Sequence, residues 1–443
     1  LDLAAAGPPD ADALIAASAQ LAELATRSWI AAIPPAVLQE RSEDAATPAE
    51  AGRPKGGWNE VFTLLRAREA VWGSDTMAVP FGSPVFTLYY RADLLEKIGA
   101  RPPRDWTEYQ KLAKLLEDRK RLGDLAPPPG SPWTAVMEPM GPGWAGMVLL
   151  ARAASYATHR ANYSALFQID TMEPLIDGPP FVRALGEQIA AAGSHAQELL
   201  RADPSAVRRA FWSGRCAMAI TWPSAAEKDR KVTPQPPPSA ASGKGESGRA
   251  SSKTDAKPAG PEIRFAVAEL PGSTAVYNIA PQAWETRREG EDPRVPLLGV
   301  AGRLGMVTTR CASPETAFRL LLWLSSQQWD RQVSAVSPAT TLFRQSDIRF
   351  PQSWTEPEIP PSAAAQYALL TQQTLGRQQW TFALRIPGRT EYLAALDEAV
   401  RQAVGGQQKP EDALRQVKAR WHDITARLGL DRQRDAYRRS LGL

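Results

Sequence analysis

At 443 residues the chain is too long for one small core, and a prior of about 150 residues per domain gives two or three domain-sized units. Hydrophobic residues make up 43% and charged residues 23%, an ordinary globular composition that excludes fibrous and wholly disordered classes. The net charge is +4 with no dense basic run, which argues against a nucleic-acid partner, and no run of about 18 apolar residues reads as a membrane span.

In chain order, residues 1–52 mix Ala-rich helical text with a short apolar run, Ala13-Leu14-Ile15-Ala16. Residues 85–90 are β-branched and aromatic behind Pro and Gly, a strand signature. Helical text follows over residues 92–98 and closes at Gly99. Asp105 with Glu108 three residues on predicts a capped helix start, and Tyr109, Leu112, Leu115 and Leu116 give that helix its apolar stripe. Asp203-Pro204 predicts a second start, with a stop at Gly214 and a strand over residues 216–220.

Residues 224–261, rich in Pro, Ser, Gly and Lys, read as a disordered insertion between two strands of one lobe. Residues 297–307 read as strand text broken by Gly299, Gly302 and Gly305. Ser313-Pro314-Glu315 opens a helix, and Leu414, Val417, Trp421, Ile424 and Leu428 form a C-terminal helical stripe. Strands alternating with helices give an α/β class.

The chemistry-bearing motifs are sparse. Neither a Gly-x-Ser-x-Gly elbow nor a Walker loop occurs. Gly141, Gly143 and Gly146 fit Gly-x-Gly-x-x-Gly before helical text, but Pro139 and Pro142 crowd the turn and no clear βαβ unit surrounds it. Cys216 and Cys311 lack metal-ligand spacing, and His159, His195 and His422 stand far apart. No metal and no cofactor is expected. Most of the 14 Trp residues read as core, with some left to line a pocket.

Several segments resemble, in collinear order, the extracellular solute-binding proteins of carbohydrate ABC importers, the maltose-binding-protein-like group. Val79-Pro80-Phe81-Gly82-Ser83-Pro84 runs into Leu88-Tyr89-Tyr90-Arg91-Ala92-Asp93-Leu94-Leu95, where the family has Tyr-Tyr-Asn-Lys-Asp-Leu. Pro102-Pro103-Arg104-Asp105-Trp106-Thr107-Glu108 is similar to the family's Pro-x-Thr-Trp-x-Glu helix start. Ala210-Phe211-Trp212-Ser213-Gly214-Arg215-Cys216-Ala217-Met218 is similar to its Phe-x-x-Gly-x-x-Ala-Met. The family's opening strand and long helix are not recognisable here.

The resemblance implies a two-lobed periplasmic-binding-protein-like α/β fold with hinge strands, the first lobe incomplete at its N-terminus. Residues 1–88 and 296–345 would form the first lobe, and 89–295 with 346–443 the second. It implies a non-enzymatic, monomeric protein, periplasmic or extracellular, with a lipid tether outside this chain as one form of attachment. Such a protein binds a small carbohydrate or polyol between its lobes and delivers it to the importer's permease. A carbohydrate-active enzyme and a non-transporting sensor or scaffold of the same fold are the alternatives.

Placement by family order makes Trp144 and Trp222 the cleft aromatics; Ser83, in a turn, is a hydroxyl partner, Arg303, on strand text between Gly302 and Gly305, is expected to approach the ligand, and Arg385 and Tyr392 flank the Pro387-Gly388 turn as further contacts. Trp106, Trp421 and Tyr90 are expected in packing. Cys216 and Cys311 fall in different lobes and are expected not to pair.

Loop-closure entropy grows slowly with length, so replacing residues 234–260 by a short Gly-Ser link should leave the melting temperature nearly unchanged. A fall of many degrees would show that the segment packs on the fold.

Overall fold

The computed structural model describes residues 7–39, 57–227 and 264–443. The first described strand, β1 (Ala13–Ala17), lies inside the Ala-rich opening text, and a short helix, Leu21–Thr26, follows it. Strands β2 (Val71–Trp72) and β3 (Asp75–Thr76) form a tight hairpin before β4 (Val79–Pro80). Strand β5 (Thr87–Arg91) is buried at every position, as expected for a strand covered on both faces.

Helix α1 (Trp106–Glu117) starts where the sequence places it, with the Asp105 carboxylate accepting from Glu108 N at 2.8 Å. The reciprocal bond is shifted by one residue: the Glu108 carboxylate accepts from Arg104 N, also at 2.8 Å. Strand β6 (Thr134–Met137) leads to α2 (Ala145–Ala157), all of whose residues are buried. Helix α3 is Pro179–Ala192. Helix α4 (Pro204–Trp212) is capped by Asp203, which accepts from Ala206 N at 2.7 Å. Strands β7 (Cys216–Thr221), β8 (Phe265–Glu269), β9 (Ala275–Asn278) and β10 (Ala283–Thr286) follow.

The Gly-rich stretch near residue 300 is two strands, β11 (Leu297–Leu298) and β12 (Arg303–Val307). They are separated where Gly299 (φ 71°) and Gly302 (φ 150°) turn the backbone. Helix α5 (Pro314–Leu324) begins after Ser313, whose side chain makes no capping bond. The chain ends with α6 (Pro361–Thr374), β13 (Thr381–Phe382), α7 (Arg389–Val404), α8 (Pro410–Leu428) and α9 (Leu430–Leu441).

Two main sheets organise these elements. One has the order β1–β12–β4, with β1 and β4 both antiparallel to β12. The other has the order β6–β7–β5–β8. Strands β7 and β8 flank β5 in this sheet, so the Pro/Ser/Gly segment joins two strands of one sheet. Most of that segment, residues 228–263, lies outside the described residues. Its first residues, Ser224, Ala225 and Ala226, are fully buried, so the packed chain extends beyond the compositional boundary at 224.

The C-terminal helix returns to the first sheet's side: α9 packs on Leu21–Thr26, and Gly73 N donates to Arg439 O at 3.1 Å. Trp106, Trp421 and Tyr90 are core residues. Cys216 and Cys311 are both free thiols, one opening β7 and the other in the turn before α5.

The Gly141–Gly146 pattern has a structural explanation. The Asp397 carboxylate of α7 accepts from Gly143 N at 2.8 Å and Gly146 N at 3.1 Å, filling the amino end of α2. That is the position a nucleotide phosphate would occupy in a dinucleotide fold. Gly146 sits at a close approach, since a Cβ there would lie 3.2 Å from Asp397 N and α7 would have to shift by a few tenths of an ångström. Replacing Asp397 by Ala leaves two N–H groups without an acceptor and should cost about 1–3 kcal/mol in thermal or denaturant unfolding. Unchanged stability would mean that water replaces the carboxylate without loss.

Candidate functional site

In open α/β sheets ligands bind outside the carboxyl ends of the strands, and both sheets present chemistry there. In the first sheet β1 and β4 run parallel to each other. Their carboxyl ends deliver Ser18 and Gly82-Ser83, and antiparallel β12 brings Gly302 and Arg303 to the same edge. The strand ends are tied directly: Phe81 N donates to Arg303 O at 2.8 Å and Arg303 N to Gly82 O at 3.0 Å. Glycine is needed at both crossing points. A Cβ at Gly82 would lie 2.4 Å from Thr341 N, and one at Gly302 would lie 3.0 Å from Ser18 Oγ and 3.3 Å from Glu69 Oε1.

Glu69 closes this edge. It is 2% exposed, and neither carboxylate oxygen has a hydrogen-bond partner. The neighbouring hydroxyls, Ser18 Oγ and Ser83 Oγ, also reach Ala301 O, at the long distances of 3.5 and 3.4 Å. Burial pushes the Glu69 carboxyl up to about 7, against the opposing influence of Ser83, Ser18 and the Arg385 cation. Arg303 is half-buried, its Nη1 donates to Gly302 O at 2.9 Å, and burial lowers its pKa.

In the second sheet the carboxyl end of β7 carries Trp222, and the turn after β6 carries Trp144 at the amino end of α2. Their ring centroids are 5.5 Å apart. Phe86, just before β5, lies 5.6 Å from Trp222. Trp144 is half-buried, whereas Trp222 is 2% exposed and its indole N–H donates to Pro338 O at 2.7 Å. Only Pro84 and Val85 separate Ser83 from Phe86, so the chain passes directly from one edge to the other.

The structure thus brings Trp144 to Trp222 and Ser83 to Arg303. Arg385 and Tyr392 lie elsewhere. Arg385 is buried and donates to the backbone carbonyls of Arg68, Glu69, Val71 and Ser440 at 3.0, 2.9, 2.8 and 3.3 Å. It clamps the segment before β2 to the end of α9, and burial lowers its pKa to about 10. Tyr392 is fully buried, its hydroxyl pairing with Thr425 Oγ1 at 2.8 Å and its ring meeting Phe167 and Trp421. Sequence reasoning missed Glu69 and Phe86. The only local trace of Glu69 is an acid flanked by Leu64, Leu65, Ala70 and Val71. Among the described residues no group of three or more His, Cys, Asp or Glu could hold a metal ion, and no helix is long and apolar enough to cross a membrane.

Two α/β sheets whose carboxyl edges face a shared crossing define a two-lobed ligand-binding protein. The chain belongs to the bacterial extracellular solute-binding proteins, whose family model matches residues 2–276. Among solved structures it is similar to maltose-bound MalE3 of T. maritima, at 18% identity over 95% of this chain and 86% of that one, with a TM-score of 0.59. The D-mannitol-bound solute-binding protein of Agrobacterium vitis S4 gives 13% identity, the same coverages and 0.59. MalE of Xanthomonas citri gives 15%, 94% and 84% coverage, and 0.58. At these identities the likeness establishes the fold. No curated protein sequence matches the chain.

The raised Glu69 pKa makes stability pH-dependent. The folded state holds this proton up to about 7, against an ordinary value of 4.5. The neutral carboxyl's advantage is therefore fully present below 4.5 and is lost as pH rises through 7. Wild-type stability should fall across that window, by on the order of 3 kcal/mol from this group. Glu69→Gln should remove the fall and melt above wild type at pH 8. Parallel pH profiles for the two proteins would show that Glu69 titrates normally.

Proposed function

We propose that the chain holds a small carbohydrate or polyol between its lobes and delivers it to the permease of an ABC importer, acting as a binding protein and not as a catalyst. The division of lobes is 1–88 with 296–345 against 89–295 with 346–443. The protein works in the periplasm or at the cell surface, with or without a lipid tether.

The observation that carries this reading is the pairing of Trp144 with Trp222 beside an edge that holds Glu69, Ser83 and Arg303. Sugars present C–H groups on the ring face and hydroxyls around it. Aromatic faces suit the first, and a carboxyl, a hydroxyl and a guanidinium suit the second. Sugar- and polyol-bound neighbours, with maltose, D-mannitol or ribitol, support the ligand class. Closure is favoured by whatever the ligand gains from contacting both lobes at once. Arg385 and Tyr392, bonded within the protein, serve as scaffold in this reading.

One observation favours the sensor or scaffold reading. Trp222 is already buried and its N–H is already bonded, so a permanently filled crossing would look the same at that ring. Melting curves of the wild type against maltose, mannitol and ribitol separate the two, because a ligand that binds only the native state raises its stability. At least one should raise the melting temperature. Trp144→Ala should then lose about thirtyfold in affinity, or about 2 kcal/mol, with little change in unliganded stability. Trp222→Ala should cost stability as well, by about 3–5 kcal/mol, since its ring is core. No response to any sugar or polyol supports the filled crossing.

A further inference from the structure

A second cavity, of about 350 Å³, opens between the loop after α2, the stretch around β13, the end of α9, and Arg68. It shares no residue with the Trp144–Trp222 pair or the strand-end cluster. Trp144 stands at the amino end of α2 and the loop 158–164 leaves its carboxyl end, about 20 Å away for a helix of this length.

Its charged lining side chains are of one sign. Arg68, Arg160, Arg385 and His159 line it, and no Asp or Glu side chain does. His159 is bonded to Glu285 at 3.1 Å, and Arg160 lies 3.7 Å from both Glu285 and Glu291, behind the wall. Arg385 donates only to carbonyl oxygens, and its Nε–H has no partner. The acid that acts on it, Glu69, is held toward its neutral form by burial. Arg68 is exposed, makes no ion pair with any described residue, and lies 5.2 Å from the centroid of the Trp380 ring. Stacking fixes the long side chain and leaves its N–H edge free for a planar or tetrahedral anion. Around it stand the Asn162 and Gln378 amides, the exposed Tyr163 ring, and a buried Thr158 hydroxyl with no partner.

We propose that this cavity is a second ligand site, taking a hydroxylated organic anion of monosaccharide size whose charge is held by Arg68 on Trp380. The volume suits one sugar ring, the amides and hydroxyl suit its hydroxyl groups, and the cations set the requirement for charge. A carboxylate-bearing sugar and a sugar phosphate share this chemistry.

The test is a thermal-shift and calorimetric titration at low ionic strength, where exposed charges are least screened. The probes are D-glucuronate, glucose 6-phosphate, D-glucose and inorganic phosphate. D-Glucuronate, glucose 6-phosphate or both should raise the melting temperature, and whichever is tighter identifies the anion class. Arg68→Gln should weaken that probe about tenfold or more, with Arg68→Lys intermediate because a point charge replaces the fork. Trp144→Ala should leave it unchanged. The proposal is overturned if neither organic anion binds, if glucose binds Trp144→Ala as tightly as they do, or if inorganic phosphate alone matches glucose 6-phosphate. It is equally overturned if Arg68→Gln binds like wild type or if Trp144→Ala abolishes binding, which would place the anion in the cleft. Loss of neutral-sugar binding in Trp144→Ala with this site intact separates failure of either proposal from failure of the other.

Discussion

The arrangement depends on two chain crossings that run side by side. Residues 81–86 carry the chain from β4 to β5, and residues 299–302 bring it back to β12. Backbone bonds at residues 81, 82 and 303 tie them together. Neither crossing tolerates a side chain at its closest point, because Gly82 lies against the Thr341 backbone and Gly302 against Ser18 and Glu69. The glycines therefore do more than permit a turn. They let three strand ends converge within hydrogen-bonding distance, and that convergence places Ser83 and Arg303 together and sends the chain directly into Phe86 and the Trp222 cluster.

Against this frame the buried charges sort into two kinds. Arg152 is bonded to Glu138 at 2.7 Å and lies 4.0 Å from the Trp106 ring. Arg208 meets Glu356 at 3.1 Å, and Arg344 is shared between Asp330 and Asp347. Each is a cation bonded to an acid, the usual condition for charge in an interior. Glu69 departs from it: its carboxylate oxygens are unbonded, and the nearby cation, Arg385, is bonded to four carbonyls instead. A buried polar group left without a partner costs free energy, and such costs concentrate at sites where something else is to be bound.

Features set by neighbours in sequence were legible. Asp105 and Asp203 cap the helices they were expected to cap, because an Asx side chain and an N–H three residues on make a local pair. Trp106 and Trp421 pack because a helical apolar stripe specifies a buried face, and Tyr90 because its apolar strand is covered on both faces. Features set across the fold were not legible. Strand β1 exists because β12, almost three hundred residues away, supplies its hydrogen bonds, and Ala-rich text carries no strand signal of its own. Glu69 is buried by strand ends that no local pattern announces. Arg385 shows the same limit: nothing in the sequence around it says that its donors meet residues 68–71 and 440.

Asp397 connects the fold to the kind of ligand each cavity suits. A free helix amino end attracts anions, and α2 points its amino end, with Trp144 as the capping residue, toward the crossing. Asp397 occupies that end with two hydrogen bonds, so the helix contributes orientation to Trp144 but no anion site. A second carboxyl, Glu69, stands at the strand ends of the first sheet, so the crossing gathers carboxyls, hydroxyls and aromatic rings. Arg303 stands at the crossing without an acid partner among the described residues, and further cations, Arg68 and Arg385, line the cavity beyond the other end of the same helix. The α2 helix thus runs from the Trp144 turn to the loop that lines the second cavity, while Arg385, which lines that cavity and donates to Glu69 O at 2.9 Å, ties it to the strand ends of the first sheet.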